Sequence, residues 1–325
     1  GFYRVRYAPP LLEALLADLP AAKLTPLERH ALASDAHAAA LSGSAPLADL
    51  LGVIRALSGD DDPDVWTSLA SSLVFLVRVA TGTQTEPLAT ALVREVAGPA
   101  LTRVGWEPGE GESDRTATLR AVLVGLLGGA GRDPDVRSRA RELFEAWLAD
   151  RSSVPPDLVD PVLHTTARLG DPSDYDRILE RFRSATTPQE EVTTLAALSS
   201  VEDTALFART IELYLSEEVR TQNAPLVLSA ALRSVAGGRL AWGAVKQRWD
   251  EINDRYPSNS ISRLLSGLAA QADPVLAADA RAFLGEHPIP QGAKQIAQIL
   301  ETMDVNARFL SAVGPTLPEA LSGPG

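Results

Sequence analysis

Helix-start signals recur along this chain at short intervals, and they constrain its fold more than any other feature. Thr25-Pro26-Leu27-Glu28 sets a hydroxyl, a proline and an acid in the order of a capping box. Asp62-Pro63-Asp64-Val65 and Asp133-Pro134-Asp135-Val136 are near-copies of each other, and Asp171-Pro172, Thr187-Pro188 and Asp273-Pro274 repeat the theme. The cap oxygen accepts an N–H that the helix cannot use. Proline lacks the donor that would be orphaned there, and the acids suit the positive end of the helix dipole. Amphipathic stretches of roughly 10–20 residues follow these starts. Leu11, Leu12, Leu15 and Leu16 form one apolar stripe, as do Leu69, Leu73, Leu76 and Val77, and Leu119, Val122, Leu123 and Leu126. Later stripes are Val192, Leu195 and Leu198; Leu226, Leu228, Leu232 and Val235; Leu264, Leu265 and Leu268; and Ile296, Ile299 and Leu300. The pattern predicts about fifteen or sixteen helices joined by short loops.

Many short helix pairs with no strand between them point to an all-α superhelix of antiparallel helix pairs, a solenoid of the HEAT or armadillo kind with a concave binding face. The opening residues stand apart. Gly1-Phe2-Tyr3-Arg4-Val5-Arg6-Tyr7 alternates apolar and polar side chains, the period of a strand. A lone strand needs partners, and the one methionine is Met303. The expectation is therefore a piece of a longer protein. Residues 1–8 would be the last strand of a missing upstream β-sandwich domain, and residues 9–325 a single helical domain. Residues 105–114, rich in glycine, proline and charge, read as the longest loop. Residues 151–156 form a second break, and Gly314-Pro315 is expected to end the last helix.

The net charge of −12 opposes a polyanionic partner, so neither nucleic acid nor an anionic membrane is expected. No apolar run approaches the ~20 residues that span a bilayer. The chain has no cysteine, which removes disulfides, thiolate zinc sites and cysteine nucleophiles together and fits a cytoplasmic location.

Catalytic motifs are absent: there is no H-E-x-x-H, no G-x-S-x-G, no P-loop and no dinucleotide fingerprint. His30 and His37 lie seven residues apart on one predicted helix but lack further metal ligands. His164 reads as a hydrogen-bonded structural residue, and His287 as a loop residue without a visible partner. Gly125, Gly128 and Gly129 read as a helix end. Trp242 and Trp249 are expected on one helix face, as core anchors or as an aromatic wall toward a ligand. The strongest polar cluster is Val219-Arg220-Thr221-Gln222-Asn223 before Pro225. Its arginine fork could hold a carboxylate and its amides a peptide backbone, or the group could simply cap a turn.

Set in order, these segments resemble a known domain. Gly1 to Tyr7, Leu24-Thr25-Pro26-Leu27-Glu28-Arg29 with Asp35-Ala36 and Gly43, Trp66, and Gly105-Trp106-Glu107-Pro108 with Glu110-Gly111-Glu112 carry the likeness. So do Arg115, Leu119 and Arg120, the Arg220-Thr221-Gln222-Asn223 segment, and Trp242, Trp249-Asp250 and Tyr256. Together they resemble the C-terminal helical domain of the aminopeptidase N family of zinc metallopeptidases, the domain also seen in endoplasmic-reticulum aminopeptidases. The resemblance implies a helical superhelix that caps a catalytic domain and encloses a substrate chamber. Zinc, its ligands and the general-base glutamate would lie upstream, so this chain would hold no metal and hydrolyse no peptide alone. Its partners would be the upstream catalytic and β-sandwich domains and the peptide substrate. Arg220, Gln222 and Asn223, with Lys246 and Arg248, are the candidate substrate contacts; Asn223 departs from the family's aspartate. A free-standing solenoid that binds a protein or peptide is the alternative.

Overall fold

The computed structural model describes residues 3–19 and 23–322, and among these it contains eighteen α-helices, four short 3-10 turns and no strand. In chain order the helices are α1 (Pro9–Ala17), α2 (Pro26–Leu41), α3 (Leu47–Ala56), α4 (Pro63–Ala80), α5 (Glu86–Val104) and α6 (Asp114–Gly128). Next come α7 (Pro134–Ala149), α8 (Pro156–Arg168), α9 (Pro172–Arg183), α10 (Pro188–Ala197), α11 (Thr204–Leu215) and α12 (Ala224–Arg233). The last six are α13 (Gly238–Gln247), α14 (Trp249–Arg255), α15 (Ser258–Leu265), α16 (Pro274–Glu286), α17 (Ala293–Val313) and α18 (Leu317–Ser322). Two compact units are present, residues 1–162 with 311–325, and residues 163–310.

The helix starts lie where the caps put them. Thr25 closes a full capping box with Glu28. The Asp62 carboxylate accepts from the N–H groups of Asp64 and Val65 at 2.9 and 3.3 Å, and Asp133 does the same for Asp135 and Val136 at 3.1 and 3.0 Å. Asp171, Thr187 and Asp273 cap α9, α10 and α16 in turn. Each such cap contributes about 1 kcal/mol.

In the first unit α2 packs on α3 and α4, and α4 and α5 both pack on α6. Trp66, Leu69 and Leu73 are fully buried there. Trp66 also donates its indole N–H to the Asp60 carbonyl at 2.8 Å, so its one polar atom is satisfied. In the second unit α9 packs on α10, and α12 meets α11, α13 and α15. Val227, Leu228, Leu264, Leu265 and Leu268 are fully buried. Burying one such side chain stabilises by about 1.5–3 kcal/mol.

Four sequence expectations are corrected. Residues 3–8 form no strand; Gly1 and Phe2 lie outside the described residues. A strand is defined by its ladder partner, and the described chain offers none. Side chains hold the segment instead. Arg4 donates to Ser34 Oγ at 2.6 Å and Asp35 Oδ1 at 3.2 Å, and the Val5 N–H donates to Asp35 Oδ2 at 3.2 Å. Leu11 and Leu226 are 58% and 51% exposed, because each falls off its helix's buried face. Val235 falls beyond the end of α12. The tail after Gly314 adds one more helix, α18.

The loop predicted at residues 105–114 runs over 105–113, since Asp114 already opens α6, and a buried cation organises it. Gly105 ends α5 with φ +74°, a left-handed conformation that suits a residue without Cβ. Arg120, 1% exposed on α6, donates to the Gly105 carbonyl at 2.8 Å and grips both oxygens of Glu112, Oε1 at 2.7 Å. Arg120 and the Gly109 N–H together hold the Glu112 carboxyl at a pKa of about 2, against an ordinary 4.5. A depressed carboxyl pKa stabilises the fold fully above its ordinary value and loses that contribution as pH falls toward the folded one. Glu112→Gln is therefore expected to lower Tm at pH 7, with the gap to wild type closing between about pH 4.5 and 2. Thermal melts across that range test it, and a gap independent of pH would refute the linkage.

Candidate functional site

The polar cluster singled out in the sequence forms the junction between α11 and α12. Leu213 and Leu215 end α11 in the core, and Val219, 1% exposed, pins the connecting turn inward. The Arg220 carbonyl then accepts from the N–H groups of Asn223 and Ala224, at 2.8 and 3.1 Å, and so starts α12. Arg255 on α14 fixes the turn from outside by donating to the carbonyls of Leu215 and Val219, both at 2.9 Å. The junction is thus set by backbone carbonyls meeting a guanidinium fork, which matches their planar geometry.

Glu191 on α10 joins two of the candidate residues. Its Oε1 accepts from Asn223 Nδ2 at 3.0 Å, and its Oε2 lies 3.2 Å from Arg220 Nη2. Asn223 is buried and leaves the helix cap to the backbone, spending its side chain on Glu191. The Arg220 side chain is 61% exposed, and its contact with Glu191 leaves the other guanidinium nitrogens in solvent. Gln222 is exposed beside it.

Lys246 and Arg248 are committed elsewhere. Lys246 Nζ lies 2.6 Å from Asp279 Oδ2, the same oxygen that accepts from the Trp242 indole N–H at 2.6 Å. These two donors, Lys246 first, hold the Asp279 carboxyl below its ordinary range. Arg248 makes a two-pronged pair with Glu251 at 2.7 and 2.8 Å and reaches Glu212 at 3.5 Å. Arg248 touches the junction only through the Leu215 carbonyl, at 3.4 Å. No contact joins Lys246 to it among the described residues.

The tryptophans are core anchors, and the single shared helix is corrected. Arg248 interrupts the helix, so Trp242 lies on α13 and Trp249 opens α14. Both meet Phe283 edge-on, at 5.4 and 5.2 Å between ring centroids. His287, expected to lack a partner, stacks on Phe283 at 4.1 Å and bonds its carbonyl through Nδ1 at 2.9 Å. His164 is hydrogen-bonded, as expected, to Ser200 Oγ at 2.7 Å. Sequence reasoning missed Glu191, Asp279 and Arg255. They lie about thirty to forty residues from their partners and belong to no local motif.

Among the described residues no three His, Cys, Asp or Glu side chains come together in a way that could hold a metal ion. The junction holds no nucleophile beside a general base. What it offers is an exposed guanidinium and an exposed amide on a rigid turn, suited to contacting a carboxylate or a peptide backbone.

Residues 1–305 match the ERAP1-like C-terminal domain family. Aminopeptidase M1-D of Oryza sativa subsp. japonica is 27% identical over 96% of this chain, and aminopeptidase M1 of Arabidopsis thaliana is likewise 27% identical over 96%. Glutamyl aminopeptidase of Rattus norvegicus is 25% identical over 95%. The chain spans about a third of the length of these relatives, 36%, 36% and 33% in turn.

The geometry at Glu191 makes a pH-dependent prediction. Asn223→Asp replaces the donating amide, 3.0 Å from Glu191, with a second carboxylate. One of two adjacent carboxyls must then stay protonated or repel its neighbour. The variant is expected to lose roughly 1–3 kcal/mol at neutral pH, and less near pH 4, where a shared proton relieves the repulsion. Denaturant titrations at both pH values measure it, and equal losses would show that the pair does not couple.

Proposed function

The chain belongs to the ERAP1-like C-terminal domain family, and from that premise we propose that it is the C-terminal lid of a zinc-dependent aminopeptidase, one that removes N-terminal amino acids from peptides. Coverage is the observation that carries this reading. Similarity to named aminopeptidases runs along 95–96% of this chain yet takes in about a third of theirs, as it would for one domain of a larger enzyme. The helix pairs stack as a HEAT- or armadillo-like superhelix and wall a chamber, and the chain's contribution is enclosure rather than chemistry. Its partners are the catalytic and β-sandwich domains of the same polypeptide and the peptide within the chamber.

Zinc has its place in the catalytic domain. The residues of this chain do not fit it: the sequence lacks H-E-x-x-H, and among the described residues no ligand cluster forms. No chemical step is assigned to these residues. Arg220 and Gln222 are the substrate contacts, because both are exposed on a turn that Arg255 holds rigid. Lys246 and Arg248 act more weakly, since Asp279 and Glu251 already neutralise them. No described helix is long and apolar enough to cross a membrane, and we place the protein in the cytoplasm on its lack of cysteine.

Two measurements test the proposal. An H-E-x-x-H with a downstream glutamate, in frame and upstream of Gly1, is expected in the encoding gene; its absence would make the chain a free-standing binding scaffold. In the full-length enzyme, Arg220→Glu is expected to lower kcat/KM on long peptides roughly three- to tenfold. Turnover of a single-residue chromogenic substrate should stay within twofold. Equal losses on both substrates would give Arg220 a structural role instead.

A further inference from the structure

The second unit holds a groove of about 500 Å³ that the proposed function does not use. Its floor and walls are aliphatic. Leu284 of α16 and Ile289 of the following turn face Ile296 and Leu300 of α17. The space exists because Ala293 and Ala297 leave one face of α17 low. The volume falls within the ~300–1,000 Å³ of small-molecule sites.

Polar side chains in the lining are four, all charged: Arg281, Glu301, Asp304 and Arg308. Arg281 and Asp304 neutralise each other in an ion pair across the groove. Arg308 has no acidic partner among the described residues, although acids outnumber basic residues 42 to 30 in this chain. Glu301 lies seven residues from Arg308 on the same helix, about 10 Å along its axis. It is exposed, and at that separation salt screens it from a charge held at Arg308.

We propose that this groove binds a small aliphatic carboxylate, with the chain on Ile289, Ile296 and Leu300 and the carboxylate on the Arg308 guanidinium. A guanidinium is the side chain best matched to a carboxylate, and a free one at the rim of an apolar groove provides both halves of an amphipathic site. A peptide fits less well. The rim residues Pro288 and Pro290 have no N–H to give, and the lining contains no hydroxyl or amide side chain. Peptide amides buried there would lose water without gaining a neutral side-chain partner.

The test is a titration of the 325-residue chain with sodium octanoate, followed by NMR of isoleucine methyl groups. Octanoate is expected to shift the Ile289 and Ile296 signals saturably. Arg308→Gln should weaken binding about tenfold, the loss of one charge-assisted bond. Glu301→Gln should change it less than twofold. Ala297→Phe should abolish the shifts by filling the groove, with the helical circular dichroism unchanged. Octylamine or N-acetyl-Leu-Leu binding as tightly as octanoate would overturn the assignment, as would the absence of saturation. So would an unchanged affinity in Arg308→Gln, a surface substitution that leaves the fold in place.

Discussion

A helix cannot satisfy its own ends, and a chain built from many short helices must meet that demand at every junction. This protein meets it with acceptors at one end and cationic donors at the other. Aspartate and threonine accept the free N–H groups at helix starts, as Asp62, Asp133, Asp171 and Thr187 do. Arginine donates to carbonyls at helix ends and in turns. Arg120 takes the Gly105 carbonyl, Arg137 that of Gly128, Arg94 that of Gly131, and Arg255 those of Leu215 and Val219. The signs agree with the helix dipole at both ends. With no cysteine to staple the turns, these bonds add to the backbone hydrogen bonds that fix their conformation.

That division of labour explains what could be read from the sequence. A cap and the N–H groups it serves lie within three residues of each other, so Asp-Pro and Thr-Pro announced the helix starts directly. Apolar stripes announced the buried faces, and Leu69, Leu73 and Leu76 are buried as their spacing required. The arginine forks were invisible, because Arg255 and its carbonyl partners are 36 and 40 residues apart. The opening segment misled for a related reason. Alternation records which side chains share a face, but a strand also needs a neighbour, and Asp35 takes that place with a carboxylate.

The same logic sorts the candidate site. A basic residue in a sequence looks available until its partner is known. Lys246 and Arg248 were already weaker candidates for substrate contact than Arg220, and Asp279 and Glu251 hold them in close pairs. A ligand carboxylate would have to displace those partners. Arg220 differs because Glu191 must serve Asn223 as well, and so takes only one guanidinium nitrogen.

Asn223 is therefore central to how the junction works. An aspartate here would present a second carboxylate to Glu191, and Arg220 would be drawn inward between two acids, its charge spent within the fold. The neutral amide satisfies one oxygen of Glu191 as a donor without adding charge. Arg220 keeps an outward fork, 61% exposed. One nitrogen in place of one oxygen thus decides whether the junction's arginine serves the fold alone or can also face a ligand.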